Sequence, residues 1–143
     1  MASHPAYRGM RMPDRRGTSR ASRPSRRELG RLGERLAEDF LRRQGFRILA
    51  RNLHLRHAEL DLLALEARTL CFVEVRLRRS LGLGSAAESV TPRKQRRIAA
   101  AAAHILATHS LPPHEALRFD VVVIDARSDP PRIELIRAAF TIC

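Results

Sequence analysis

Two carboxylates of this sequence stand where a charge is costly: Asp61 in Leu60-Asp61-Leu62-Leu63 and Glu74 in Phe72-Val73-Glu74-Val75. An ionised group in such an apolar run needs compensation if it is buried. Side chains alternate along a strand, so Glu59, Asp61 and Leu63 share one side of one run, and Phe72, Glu74, Arg76 and Arg78 share one side of the next. Acids and bases converge on one face. One reading is a pair of cross-strand salt bridges, Asp61 or Glu59 with Arg76 or Arg78. The other is a hard divalent cation, Mg²⁺ or Mn²⁺, which takes oxygen ligands and commonly uses one or two carboxylates plus substrate phosphate. Asp61, Glu74 and the main-chain carbonyl of Val75 form such a donor set.

The charge around these acids is strongly positive. Formal net charge is +12 over 143 residues, and Arg76, Arg78, Arg79, Arg93, Lys94 and Arg97 bracket the carboxylates in sequence. A basic excess of this kind favours a polyanion, because each neutralised phosphate releases counterions. Acidic lipid is the rival anion. Against a membrane span, the longest uncharged apolar-leaning run, Ile98 to His114, is diluted by alanines, histidines and a Pro-Pro pair. With one Tyr and no Trp there is little for bases to stack on. Backbone or shape recognition of nucleic acid is therefore expected over base reading. Lys94 is the one lysine among the 27 Lys and Arg residues. Near a helix N-terminus, its compact ammonium could reach the metal site or the scissile phosphate; the plainer alternative is an incidental surface lysine.

The elements that must hold these residues are legible from periodicity and punctuation. Residues 1–24 mix Arg, Ser, Pro and Gly without apolar periodicity and are expected to be a disordered basic tail, with Met10 or Met12 an alternative start. Residues 25–143 form one domain. Ser25-Arg26-Arg27-Glu28 is a capping box, followed by Leu29, Leu32, Leu36, Phe40 and Leu41 at helical spacing, with Gly45 as a left-handed cap. Phe46–Asn52, Glu59–Leu65 and Thr69–Leu77 read as strands, the last two as a hairpin. Thr91-Pro92 opens an alanine-rich helix to about Thr108, which Pro112-Pro113 stops. Phe119–Asp125 is a β-branched central strand and Arg132–Ile136 an edge strand. The fold class is α/β, a mixed central sheet flanked by helices in the order αβββαββ.

Taken in order, Gly30-x-x-Gly33-Glu34, Glu59-x-Asp61-Leu62, Phe72-Val73-Glu74-Val75-Arg76-x-Arg78, Thr91-x-x-Lys94 and Arg118-Phe119-Asp120 resemble the YraN-like family of small bacterial proteins. That family resembles the PD-(D/E)xK nucleases of restriction-endonuclease-like fold, Holliday junction resolvases in particular. The resemblance runs from about Glu28 to Phe140. It implies a Mg- or Mn-dependent endonuclease, acting on DNA ahead of RNA, on structured or branched substrates, and leaving 5′-phosphate and 3′-hydroxyl ends. A resolvase-like activity would imply two-fold pairing, that is, a homodimer.

Carried over by position, Glu34 matches the first-helix acid, Asp61 the first strand acid and Glu74 the second acid, with Arg76 where the nuclease lysine belongs. The catalytic set is then Glu34, Asp61, Glu74 and Arg76. The metal would be held by Asp61, Glu74, Val75 and Glu34, and nucleic acid by Arg78, Arg79, Arg93, Lys94 and Arg97. Arginine stays charged and cannot serve as a base, but its fork can steady a phosphate while a metal activates water. Glu34 has a plainer reading as a helix-dipole partner. Ala58 replaces the family's usual glycine, which would strain the strand if a positive φ were needed there.

Other chemistries find no support. His54-x-x-His57, His104 and His109 lack the further ligands of a tetrahedral zinc site. Gly82-x-Gly84 lacks the Gly-Lys-Ser/Thr that completes a phosphate loop, and no nucleophile motif marks a hydrolase triad. Cys71 and Cys143 make no disulfide framework, and no apolar leader precedes the domain, so a reduced, cytoplasmic protein is expected. The rival from another class is a non-catalytic nucleic-acid-binding module, a degenerate nuclease fold whose site has become arginine-carboxylate pairing. A protein-interaction scaffold is the third reading.

Overall fold

Helix α1, Arg26–Arg43, begins at the capping box. Glu28 N–H donates to Ser25 Oγ at 3.1 Å and Ser25 N–H donates to the Glu28 carboxylate at 3.2 Å, so two otherwise unpaired donors are satisfied. Glu28 in the first turn and Arg42 and Arg43 in the last suit the helix macrodipole. Gly45, at φ 96°, then turns the chain left-handed into the sheet.

The computed structural model describes residues 25–78 and 90–141. The expected basic tail over residues 1–24, Arg79, and Cys143 lie outside the described residues. Strands β1 (Arg47–Leu55), β2 (Ala58–Glu66) and β3 (Thr69–Arg78) make two successive hairpins, each closed by a two-residue turn. Helix α2 (Pro92–Thr108) precedes β4 (Ala116–Asp125), which runs parallel to β3, and β5 (Arg132–Ile136) returns antiparallel on β4. The sheet order is β1-β2-β3-β4-β5, a mixed sheet in the order αβββαββ. This is the restriction-endonuclease-like layout.

Burial explains the two layers. On one face α1 packs Leu36, Ala37 and Leu41 on Leu62, Ala64, Cys71, Val73, Val122 and Ile124. On the other, Ile98, Ala101, Ala102 and Ile105 of α2 meet Leu60, Leu63, Leu70, Phe72, Val121 and Val123. The alanines expected to serve helix propensity also supply this inner face of α2. Phe46 and Phe72 are buried, so neither ring is open to a base.

Two strands differ from expectation by more than one residue at an end. β1 continues past Asn52 to Leu55, because Asn52 adopts φ 50° within the strand rather than ending it. β4 starts at Ala116, ahead of Phe119, because its pairing with β3 begins at Thr69↔Ala116. Ala58 is not a positive-φ residue and is buried, so alanine costs nothing there.

Arg118 and Asp120 are structural. The buried Asp120 accepts Arg118 Nε at 2.8 Å and Nη2 at 2.9 Å, and also the Ala138 N–H at 3.0 Å. Glu66 accepts Arg118 Nη2 at 2.8 Å and Arg137 Nη2 at 2.6 Å. Both guanidinium groups lie over the Phe46 ring, at 6.0 and 5.7 Å from its centroid. The cluster ties the β2–β3 turn, β4 and the chain after β5 together.

Candidate active site

The β2–β3 ladder runs from Glu66↔Thr69 to Leu62↔Val73 and stops. The next pair would be Asp61 with Glu74. Instead, Asp61 Oδ2 accepts the Val75 N–H at 2.8 Å, a side chain taking the place of a main-chain partner. The strands part at this point, and the Asp61 and Glu74 carboxyl groups lie close enough to shift each other's pKa.

Burial raises both acids above the usual carboxylate range. For Glu74 the Asp61 charge adds to burial; for Asp61 the Val75 N–H opposes it. Arg76 lies within 3.9 Å of Glu74 and favours ionisation, but does not overcome burial.

A pocket of about 230 Å³ opens at this pair, lined by Glu59, Asp61, Glu74, Lys94, Arg97 and Ile98. Lys94 sits in the first turn of α2, its N–H donating to Thr91 Oγ1 at 3.3 Å. Ile98 is buried in the core one turn further on, which fixes how the preceding turn meets the sheet. Partial burial and then Arg76 lower the Lys94 pKa, while Glu74 and Asp61 oppose them. Lys94 is therefore placed with the carboxylates, not on an unrelated surface.

Glu34 approaches from α1. Partial burial raises its pKa, a hydrogen bond from the Asn52 side chain opposes that, and the Asp61 charge adds to it. One turn along, Glu38 pairs with Arg42 at 2.7 Å and with Arg51 of β1 at 3.1 Å, which registers α1 against β1. Glu34 stands beside Asp61 without lining the pocket. The two helices cover opposite sheet faces, yet Glu34 and Lys94 both feel the Asp61 charge.

Of the other expected residues, Val75 is tied to Asp61 through its N–H. Arg97 lines the pocket, whereas Arg93 is exposed in the first turn of α2. Arg78 pairs across the ladder with Asp125 and is not in the pocket lining. Arg79 lies outside the described residues. Among the described residues, no three His, Cys, Asp or Glu side chains form a metal-holding group. The donors fit a cation of the Mg²⁺ type bound by two carboxylates and completed by water or phosphate, rather than a closed protein cage.

The sequence places Glu59 on the Asp61 face without assigning it to the site, weighs His54 only as a zinc ligand, and gives Asn52 no role. In the structure Glu59 lines the pocket, His54 lies within 3.6 Å of Glu59, and Asn52 reaches Glu34. The available signal was Arg56-His57 as a two-residue hairpin turn, which fixes His54↔Glu59 and places Asn52 opposite Asp61.

Residues 33–124 match the Uncharacterised protein family UPF0102. A UPF0102 protein of Dehalococcoides mccartyi is 40% identical over 116 residues, covering 81% of this chain and 95% of the relative. One from Chlorobaculum parvum is 44% identical over 120 residues, covering 80% and 92%. One from Saccharophagus degradans is 47% identical over 115 residues, covering 80% and 94%. With relatives matched almost end to end, the chain belongs to the UPF0102 family, the group to which the YraN-like motifs point.

Proposed function

We propose that this protein is a metal-dependent endonuclease that hydrolyses phosphodiester bonds in nucleic acid, DNA ahead of RNA. The observation that carries the reading is the buried Asp61–Glu74 carboxyl pair at the parting of β2 and β3, in a pocket whose lining also carries Lys94 and Arg97. Asp61, Glu74 and the Val75 carbonyl would hold Mg²⁺ or Mn²⁺, with Glu34 adding negative charge beside Asp61. Such an ion supplies Lewis acidity toward a phosphoryl oxygen and lowers the pKa of a bound water.

The chain's own residues do the rest. The Val75 N–H fixes the Asp61 carboxylate in direction. Both carboxyl groups would hold the cation in their ionised form. Lys94 and Arg97 hold the phosphate against the acidic wall, and Arg76 steadies the charge that builds on it. Arg76 takes no proton from water, because a guanidinium stays protonated.

Helix α2 supports a phosphate partner. Whereas α1 obeys the macrodipole, the first turns of α2 carry Arg93, Lys94, Arg96 and Arg97, with no acid in the first turn and no base in the last. Cations at a positive helix end oppose folding. A phosphodiester backbone reverses that sign.

Titrating Mn²⁺ into the protein while measuring heat and cleavage of branched and linear DNA tests the reading. Metal-dependent nicking that is abolished in Asp61→Ala and Glu74→Ala supports it. The Arg76–Glu74 approach of 3.9 Å favours a second reading, a non-catalytic nucleic-acid-binding protein. A silent Mn²⁺ titration with intact DNA affinity would select that one.

A further inference from the structure

Asn52 is unusual in backbone and side chain together. It sits inside β1 at φ 50°, a left-handed conformation that L residues other than Asn and Asp rarely adopt. The β1–β2 ladder pairs Arg51↔Leu62 and Leu53↔Leu60 but skips the position between, where Asn52 faces Asp61. Its side chain hydrogen-bonds to the Glu34 carboxyl group on α1. Glu34 also meets the like charge of Asp61, with Arg31 and His54 as nearby positive partners. Untethered, its carboxylate would be driven away from Asp61.

We propose that Asn52 is a positioning residue: the left-handed kink in β1 carries its carboxamide across to α1, where its N–H donates to Glu34 and holds that carboxylate next to Asp61, behind the two-carboxylate site. The inference rests on reading Asp61 and Glu74 as the metal-binding pair. Residue chemistry explains the choice of Asn. Glycine tolerates the conformation but donates nothing from a side chain, aspartate tolerates it but only accepts when ionised, and longer amides resist it. Asn combines the conformation with the donor.

The test uses the full chain with Asn52→Gly, Asn52→Asp, Glu34→Gln, the double variant Asn52→Gly with Glu34→Gln, and Asp61→Ala. Mn²⁺ affinity by calorimetry, single-turnover cleavage of branched DNA and the metal-free thermal midpoint are the readouts. Asn52→Gly keeps the midpoint and weakens Mn²⁺ binding or the single-turnover rate on the order of tenfold to a hundredfold, the usual cost of losing a partner behind a metal ligand. Asn52→Asp, which keeps the kink but not the donor, loses a similar factor. The double variant is no worse than Glu34→Gln alone, because Asn52 acts only through Glu34. Wild-type behaviour of Asn52→Gly, or losses that multiply in the double variant, overturns the role of Asn52. If Asp61→Ala itself binds Mn²⁺ like wild type, the metal-site reading falls and the proposal falls with it.

Discussion

Replacing Arg93 by glutamate is expected to stabilise the fold and weaken nucleic-acid binding at once. Arg93 is exposed in the first turn of α2, where the free N–H groups carry the positive end of the macrodipole and no acid is present. Removing a cation there and adding an anion reverses an unfavourable term, contributing about 1 kcal/mol. For a domain of this size that raises the thermal midpoint by about 4 °C. If α2 binds nucleic acid as proposed, the same change deletes one phosphate contact and adds repulsion, so the slope of log affinity against log salt becomes shallower by about 1. Arg43→Glu is the control of opposite sign, because Arg43 lies in the last turn of α1, where a cation suits the dipole, and its loss lowers the midpoint. Calorimetric melting without ligand and fluorescence anisotropy with duplex DNA at several salt concentrations read both effects. A destabilised Arg93→Glu protein, or one whose salt dependence matches wild type, would refute the argument that the basic turn is kept for a phosphate partner.

Other outcomes follow from the Arg118 cluster and the core. Asp120→Ala leaves Arg118 short of its buried partner and frees the Ala138 N–H, costing about 3 kcal/mol in urea unfolding. Equal midpoints would show that the cluster contributes nothing. The Arg137 hydrogen bond, then Arg118, hold Glu66 down to about 2. A depressed folded-state pKa contributes stability that is present above the unfolded value of 4.5 and is lost as pH falls through about 2. Glu66→Gln therefore lowers stability at neutral pH and flattens the acid limb of the stability curve; an unchanged acid limb would contradict the pairing. Cys71 is buried, and burial, with Asp120 beside it, pushes its thiol up to about 12. In a Cys143→Ser protein it should react with a thiol reagent at neutral pH only after denaturant is added, and rapid labelling of that variant in its native state would disprove this.

Much of the molecule was legible in the sequence because it is written in local patterns. The capping box at Ser25 and Glu28, the Thr91-Pro92 helix start and the β-branched run before Asp125 each specify an element from their own few residues, and αβββαββ follows from their order. Asp61 and Glu74 could be paired from alternation, since the hairpin closed by Ala67-Arg68 sets their register locally. What separates them from an ordinary ladder pair required the tertiary structure. The parting of β2 and β3, the kink at Asn52 and the placement of Lys94 depend on two helices packed on opposite sheet faces and on the β1–β2 register. Asn52 looks like a strand end because its turn preference is local, whereas its place inside β1 is set by the pairing with β2 on both sides of it. Arg78 and Arg118 look equivalent to the pocket arginines in sequence, yet register sends Arg78 to Asp125 and Arg118 to Glu66 and Asp120. Charge type is a property of one residue; which opposite charge it meets is a property of the fold.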